Sequence, residues 1–513
     1  MDNLLSLRRS ALIYGLCLPV AVVLGYAVAK PDDFMSRASI ALVLGIMSLP
    51  LLMRLHHPFL ILTWNASLVV PFLPGQPNWW MCLSFVSLSF AILYWILTKK
   101  EEFVRAPSVS FWVFFILVVV IITARLTGGI GARVIGSAAY GGKRYLYVLS
   151  AVVGYFALTS TQIRLEQATF LTVGFFLSGV TSGVSDFAYA LGAKFYFLFY
   201  LFPSGLAFSQ AAGEAVSLER FAGVSFAAQN AILALFARYG LRGIFDWSRP
   251  WRLCLFCLLL AASMFGGFRS LLIVLLFFFF FQLCFERLAT LRNIAILVGL
   301  LVLSLTAMIT FSTELPVPVQ RTLSFLPVRV DETVRQDASG TAEWRWLMWK
   351  ALLPDIPKYL WLGKGFTFDG TDLYLTEEAA RRGYYAAYES TLVNGNYHNG
   401  ILTVLIPFGI WGMIGFLGFA VAGFRVLYLN YRNGDPCLRI LNTVLISWFL
   451  ARLAMYLTIY GAFDLDLPFF VGSVGLSLSL NGGIRTEILR TSMKPQSEGV
   501  VETTVEGSDR AFE

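Results

Sequence analysis

The chain has few charged residues: Asp, Glu, Lys and Arg make up 14% of its 513 residues, against roughly 25% in a typical soluble domain. Such a composition lacks the polar surface that a water-borne globule requires. It therefore excludes a soluble enzyme, a secreted scaffold, a disordered hub and a nucleic-acid-binding protein as descriptions of the whole chain. The net charge of +8 does not alter this, because the basic residues follow a pattern of membrane topology; no nucleic-acid partner is expected.

Metal and disulfide motifs are equally scarce. None of the six cysteines lies in a predicted extracytoplasmic loop, which excludes a disulfide framework there. Cys254 and Cys257 have the spacing of half a zinc site, but no second pair completes the four ligands, so two small buried apolar side chains are the simpler interpretation. The long loop described below has no DxD-like motif, and its nearest acidic pair, Asp369 and Asp372, is more typical of a turn.

What the sequence does contain is a series of apolar runs, since 57% of its residues are hydrophobic and the mean hydropathy is +0.70. A helix crosses about 30 Å of hydrocarbon in roughly 20 apolar residues. The runs therefore predict an all-α polytopic membrane helix bundle with about 12–14 transmembrane helices. They lie near 11–29, 38–54, 58–74, 79–98, 110–127, 145–162, 168–190, 224–240, 252–266, 270–285, 293–312, 398–425, 438–460 and 467–481, and the Phe-rich stretch 195–202 is a candidate interfacial or re-entrant piece.

Lys and Arg are concentrated in alternate loops, and cytoplasmic loops carry the positive excess. With the N-terminus in the cytoplasm, the inner segments hold about 20 basic residues and the short outer segments about nine. We therefore predict that both termini are cytoplasmic. Residues 1–29 mimic a secretory signal, but their long apolar run favours an uncleaved first helix.

One connection, residues 313–397, is far longer than the others, and this topology makes it a large extracytoplasmic (periplasmic) loop. Within it, residues 342–353 have helical spacing with Trp on two faces, which is typical of a helix at the membrane interface. Gly363 and Gly365 predict a turn where the backbone approaches another segment closely. The chain thus divides into N-terminal transmembrane helices (1–219), central transmembrane helices (220–312), the loop (313–397), C-terminal transmembrane helices (398–484) and a disordered cytoplasmic tail (485–513).

Histidine is rare, and one of the three histidines has a distinctive position. His398 ends the long loop directly before the next apolar run, and histidine exchanges a proton near neutral pH. A helix-cap or interfacial role is the alternative. His56 and His57 lie together in a predicted inner loop, where we interpret them as solvated or headgroup-facing.

Arginine occurs where the bilayer makes it costly. Arg452 lies inside a predicted span, where a cation costs about 2.5–3.5 kcal/mol and is expected to have a partner or a function. None of the arginines near the outer boundary has an acidic neighbour on its own helix face. Guanidinium groups match phosphate oxygens bidentately, so the set predicts a cationic pocket for an anion, with snorkelling to headgroups as the alternative for each. The set consists of Arg220, Arg269, Arg345 and Arg452.

Four short stretches have a recognisable order and placement: RFAGVSFAAQN at 220–230, GGFRSL at 266–271, RWLMWKALLPDIPKYLWLGKGF at 345–366 and HNGILTVLIPFGIWG at 398–412. Together they resemble the O-antigen ligase and polysaccharide polymerase family of bacterial glycan-assembly membrane proteins. The second stretch departs from that family's Ser-Arg-Gly turn, because Phe268 and Ser270 flank Arg269. The resemblance covers roughly residues 220–480.

The resemblance implies a GT-C-like fold in the bacterial inner membrane. It also implies a glycosyltransferase that moves a glycan from a polyprenyl-diphosphate carrier to an acceptor on the outer face, without a metal or other cofactor. The acceptor is a lipid-A core sugar in the ligases and another carrier-linked repeat in the polymerases. The expected partners are therefore the polyprenyl-diphosphate-linked donor, a glycan or lipid-linked acceptor, and membrane lipids.

With such a donor, Arg220, Arg269 and Arg452 are assigned to the diphosphate, and Arg345 is a candidate fourth member. His398 takes a proton from the acceptor hydroxyl or, alternatively, orients the acceptor or phosphate by hydrogen bonding. Three tyrosines are candidates for stacking on sugar faces or for interfacial anchoring, namely Tyr384, Tyr385 and Tyr388.

A transporter or flippase for lipid-linked glycans is the alternative function. Transporters tend to show inverted repeats and coupling carboxylates near the midplane. Here we find no internal repeat, and Asp186 is the only acidic residue that we place within a span. The single asymmetric loop favours an enzyme.

Overall fold

The computed structural model describes most of the chain. The described residues are 34–73, 75–98, 106–127, 139–140, 142–205, 221–311, 314–324, 330–366, 368–382 and 389–486, with single positions between 15 and 29. Several residues singled out from the sequence lie outside these ranges, namely Arg220, Tyr384, Tyr385, Tyr388 and the tail beyond 486.

Helices account for nearly all of the regular structure, which confirms the predicted all-α class. The exception within the described ranges is one antiparallel pair of two-residue strands, β1 (Ala139–Tyr140) and β2 (Phe368–Asp369). The helices are α1 (Phe34–Thr63), α2 (Trp79–Thr98), α3 (Pro107–Leu126), α4 (Gly142–Thr159), α5 (Leu165–Leu177), α6 (Gly183–Leu191), α7 (Ala222–Ile244), α8 (Trp251–Ser263), α9 (Arg269–Phe285), α10 (Leu291–Thr310), α11 (Val317–Leu323), α12 (Glu332–Leu352), α13 (Ile356–Tyr359), α14 (Gly370–Arg381), α15 (Glu389–Asn394), α16 (Gly400–Asn433), α17 (Arg439–Thr458) and α18 (Phe463–Asn481).

The described helices include six that are long and apolar enough to cross a membrane. They are Trp79–Leu97, Pro107–Leu126, Leu165–Leu191, Gly400–Asn433, Pro436–Thr458 and Phe463–Asn481, and two shorter apolar helices are Trp251–Gly266 and Arg269–Phe285. The protein is therefore an all-α polytopic membrane protein. The total of 12–14 spans and the orientation of the termini stay predictions.

The first predicted runs are connected differently from our expectation. The runs 38–54 and 58–74 predict two separate spans, but α1 continues through the predicted loop between them and ends at Thr63. The physical reason is that His57 is buried rather than solvated, and its Nε2 lies 3.0 Å from the carbonyl oxygen of Leu158 in α4. His56 also has a partner, since its Nδ1 lies 2.8 Å from Ser87 Oγ.

Three smaller expectations can be compared with the structure. The Phe-rich stretch 195–202 forms a 3-10 helix, Ala193–Tyr200, with several aromatic side chains exposed. The pair Asp369 and Asp372 is not a simple turn, because Asp369 ends β2 and Asp372 lies in α14. The helix predicted over 342–353 is present as the second half of α12.

Helix α18 forms the centre of the bundle, since nearly all of its residues are buried and it packs against α4, α16 and α17. Its first turn is tied to the N-terminus of α4 by Arg144, whose Nε and Nη2 each donate to the Asp464 carboxylate at 3.0 Å. Arg144 also donates to the carbonyl oxygen of Gly395 in the loop, at 3.3 Å. One cation thus joins two helices of the bundle and the end of the loop.

Helix α16 is broken near its start, at Pro407 and Gly409. Gly409 has φ +63° and ψ −161°, a conformation open essentially to glycine alone. The backbone groups freed by the break bond to the loop: Lys364 N donates to Ile406 O (2.8 Å), and Ile410 N donates to Leu360 O (2.6 Å). Irregular backbone within a membrane protein needs such partners, because lipid supplies none.

The Gly-x-Gly turn of the loop makes this contact possible. Gly363 and Gly365 both have positive φ, and Gly365 N donates to the carbonyl oxygen of Pro407 at 2.9 Å. A Cβ on Gly363 would lie 2.1 Å from that same oxygen. The close backbone approach predicted at these glycines is confirmed.

We predict that Gly409→Ala destabilises the protein by about 1–3 kcal/mol, the range for one strained backbone conformation, because the added Cβ would also lie 2.6 Å from Leu360 O. The matched control is Gly299→Ala in α10, where a Cβ meets nothing within 4 Å and alanine favours the helix. Thermal unfolding in detergent measures both. Equal unfolding temperatures for the two variants would contradict the role assigned to the break.

Candidate functional site

Three local features of the tripeptide His398-Asn399-Gly400 fix the position of the histidine. His398 has φ +49°, which is uncommon for a residue with a side chain and turns the chain sharply before α16. Asn399 caps α16, with its side-chain oxygen accepting from Leu402 N at 3.2 Å. Gly400 allows α16 to start directly against α17, since a Cβ there would lie 2.2 Å from Tyr456 O.

The imidazole of His398 lies between two aromatic rings. The ring centroids of Trp344 and Tyr460 are each 5.3 Å from that of His398. Its Nδ1 is buried and has no hydrogen-bond partner among the described residues. Burial, together with the positive charge of Arg345, lowers the pKa of His398 to about 4, so the imidazole is neutral at neutral pH.

Arg345, in α12, lies beside the same Tyr460 ring. Its guanidinium lies 5.9 Å from the centre of the Tyr460 ring, and its Nε is buried without a partner among the described residues. Burial lowers the pKa of Arg345, and the neighbouring Arg321 acts in the same direction. Two guanidinium groups are therefore within electrostatic range of each other, and arginine remains charged despite this.

Arg452 approaches from the membrane side. It forms an ion pair with Asp466 of α18, and its guanidinium lies 4.4 Å from the centre of the Phe469 ring. Its Nε is also buried without a partner in the described part of the chain. Burial and Asp466 raise the pKa of Tyr460, whereas Arg345 and Arg452 act in the opposite direction, so Tyr460 lies within range of both arginines.

Arg269 is linked to this group through α11. Arg269 Nη2 donates to Ser324 Oγ at 2.9 Å, and Arg321 of α11 donates from Nη1 to Gly267 O at 2.8 Å. Helix α11 thus binds the turn that carries Arg269, and its Arg321 also acts electrostatically on Arg345. The turn is also held to α7, because Gly266 N donates to Ser225 Oγ.

The structure therefore assembles residues that are far apart in sequence into one cationic site. The His398 ring and the Arg345 guanidinium both lie beside the Tyr460 ring, and Arg452 acts electrostatically on the same tyrosine. Arg321, which bonds to the turn before Arg269, acts electrostatically on Arg345. Three buried nitrogens at this site lack partners among the described residues: Arg345 Nε, Arg452 Nε and His398 Nδ1. Burying polar groups without hydrogen bonds is costly, and two guanidinium N–H groups that lack one are suited to an anion.

Some residues of this site were missed by the sequence analysis. A partner or a function was expected for Arg452, but Asp466 was not identified because it lies on another helix. Asp464 and Asp466 lie in the first turn of α18, so Asp186 is not the only acid within a span. Asp186 itself accepts from Val224 N at 2.9 Å at the start of α7. Tyr460 follows α17 and carried no local signal, because only tertiary contacts bring it to His398.

Metal ligands are absent from the described part of the chain, in the sense that no group of three or more His, Cys, Asp or Glu there is arranged to hold an ion. Cys254 and Cys257 are both free and exposed, not buried as expected. Metal independence stays a prediction.

The fold defines a multi-pass membrane protein in which His398, Arg345 and Arg452 each carry a buried nitrogen without a partner among the described residues. Residues 230–417 match the family model described as O-antigen ligase. The matched segment includes Arg269, Arg345 and His398 and ends before Arg452. This match confirms the resemblance drawn from the sequence and indicates an O-antigen ligase- or polymerase-type membrane function. A comparison with curated proteins finds no match.

We predict that Asp466→Ala destabilises the protein by about 3–5 kcal/mol, because it leaves the charge of Arg452 buried and unpaired. The double variant Arg452→Met with Asp466→Ala removes both charges and is expected to recover much of that loss. Thermal unfolding of the wild type, both single variants and the double variant in detergent forms the cycle that measures this. A double variant as unstable as the sum of the two single variants would contradict the pairing.

Proposed function

We propose that the protein is a membrane glycosyltransferase that moves a glycan from a polyprenyl-diphosphate carrier to an acceptor, as an O-antigen ligase or a polysaccharide polymerase. The observation that supports this most is the convergence of Arg345, Arg452 and His398, each with a buried nitrogen that lacks a partner among the described residues. A lipid-borne diphosphate is an anion that reaches such a site from the membrane, and a glycan is the group that it carries.

The arginines would stabilise the leaving group. As the bond between the sugar C1 and the diphosphate oxygen breaks, its electron pair stays on that oxygen and negative charge grows there. Fixed guanidinium groups aimed at this charge lower the barrier without reorganising. Arg345 lies beside His398, and Arg452 acts on Tyr460, whose ring His398 also contacts. Arg269 is the next candidate, and Arg220 is assigned from the sequence alone.

His398 would accept the proton of the acceptor. Because its pKa is about 4 in the free protein, the imidazole is neutral and one ring nitrogen is available to accept. The acceptor oxygen then forms the new bond to C1 as its proton passes to that nitrogen. Bound diphosphate offsets the charge of Arg345, which raises the pKa of His398 and makes it a stronger base than it is in the free protein.

The remaining parts of the proposal come from the sequence. Tyr384, Tyr385 and Tyr388 are candidates for stacking on the sugars, and the lipid-linked donor and glycan or lipid-linked acceptor are the proposed partners. No cofactor takes part in the scheme, so transfer is expected to persist in the presence of a chelator. Ligase and polymerase differ in acceptor only.

We predict that His398→Asn lowers glycan transfer by about 10²–10⁴-fold, the usual range for one acid–base group. Asparagine tolerates positive φ well, so the turn at 398 is retained while the base is lost. Transfer from a labelled carrier-linked donor in reconstituted vesicles measures the effect, and His56→Asn in α1 is the matched control, expected to keep full activity.

The same pair of variants distinguishes the alternative function in cells. Loss of a ligase leaves carrier-linked polymer, loss of a polymerase leaves single repeats, and loss of a flippase strands lipid-linked glycan on the cytoplasmic face. Full transfer by a folded His398→Asn protein, or stranding of the donor inside, would contradict the proposal.

The pKa of His398 generates a pH prediction. A base with a free-protein pKa of about 4 loses activity only as the pH falls toward 4, and kcat/KM reports that value. The acid limb of kcat should lie at higher pH, because bound diphosphate raises the pKa. In Arg345→Gln the acid limb of kcat/KM should also move to higher pH, since a positive charge beside the imidazole is removed. A wild-type limb near 6.5 that does not move in this variant would contradict the assignment.

A further inference from the structure

Two neighbouring apolar side chains of the loop project from the protein surface. Trp361 is 65% exposed and Leu362 is 63% exposed, directly before the Gly-x-Gly turn. We call this pair the Trp361–Leu362 edge. Exposed large apolar side chains in adjacent positions need an explanation when the flanking backbone is well ordered by hydrogen bonds.

The backbone around the edge is bound to two candidate membrane spans. Leu360 O accepts from Ile410 N in α16, and Leu362 O accepts from Thr123 Oγ1 in α3 at 3.2 Å. Thr123 lies three residues before the end of α3, or about 5 Å along its axis at 1.5 Å per residue. The edge therefore lies at the depth of the last turn of a membrane-spanning helix.

The length of α16 indicates the same depth in the membrane for this segment. The part of α16 from Ile410 to Asn433 measures about 36 Å at 1.5 Å per residue, which is enough to cross the hydrocarbon by itself. The break at Gly409 thus falls near the boundary of the bilayer. The loop segment that bonds to this break meets α16 where the hydrocarbon begins.

The lipid-facing surfaces of the two spans continue onto the edge. On α3, Ile122 and Leu126 are exposed beside Thr123, and on α16 Trp411 is exposed beside Ile410. Apolar side chains exposed on a membrane span contact lipid. The Trp361–Leu362 edge is hydrogen-bonded to both helices next to these side chains, and so it extends their apolar surface.

We propose that the Trp361–Leu362 edge is immersed in the lipid leaflet at the His398 end of the bundle, so that the long loop is re-entrant at this point and not wholly extramembrane. The occupant of the surface is the lipid of that leaflet. Trp suits this boundary, because its ring is apolar and its N–H reaches polar headgroups. The lipid would hold in place the loop segment that supplies hydrogen-bond partners to the backbone of α16 at its break.

The test is the accessibility of a spin label, and it does not depend on glycan transfer. Single cysteines at Leu362 and, as the control, at Glu377 on α14 are introduced after the six native cysteines are replaced by serine. The labelled proteins are reconstituted in phosphatidylcholine vesicles. The label at 362 should collide several-fold more with oxygen than with a water-soluble nickel chelate, whereas the exposed polar position 377 should show the reverse.

A second measurement uses the chain with its native cysteines. Lipids brominated near the headgroup should quench the fluorescence of the wild type more than that of Trp361→Phe, which keeps an apolar ring but lacks the indole. Preferential access of the nickel chelate at 362 would overturn the proposal. Low access of both reagents at 362 would also overturn it, since a protein partner or second copy would then cover the edge. Equal quenching of wild type and Trp361→Phe is the third contrary result.

Discussion

The break in α16 at Pro407 and Gly409 is the constraint on which the site depends. A break at this point exposes backbone groups that lipid does not satisfy, so a second segment must supply their partners. The loop does so between Leu360 and Gly365, and this docking carries the rest of the loop onto the bundle. Within the loop, Trp349 of α12 donates to the carbonyl oxygen of Tyr397, directly before His398, and Arg345 and His398 both lie beside the Tyr460 ring.

The site brings positive charges close together, which is electrostatically unfavourable. Arg345 lies within electrostatic range of Arg321, and His398 is held neutral beside Arg345. Arg452 pairs with Asp466 but keeps a buried Nε without a partner among the described residues. Such an arrangement costs folding free energy, which the well-packed helices α16, α17 and α18 offset. The corresponding gain in the proposed reaction is that the cations need not move when charge develops on a diphosphate. In that scheme the substrate completes the hydrogen bonding of the site.

Sequence reasoning located the parts of this site that have local signals. His398 was identified by its place before an apolar run, Arg452 by its position inside a span, and the glycine turn by its residue type. Local patterns did not reveal Asp466 or Tyr460, because their roles arise from contacts between α17, α18 and the loop. The sequence predicts two spans where the helix Phe34–Thr63 is continuous, since nothing in the sequence shows that His57 bonds to Leu158 O across the bundle.

The sequence by itself determined that the protein lies in a membrane and that its motifs resemble those of a glycan-assembly family. Low charge and long apolar runs require a membrane, because only burial in lipid satisfies so much apolar surface. The tertiary structure alone decided which residues meet. Arg345 and Arg452 are 107 positions apart, and both act on one tyrosine because the loop helix α12 packs beside Tyr460. Local patterns report what one helix or turn prefers, whereas the site is a property of the packing between them.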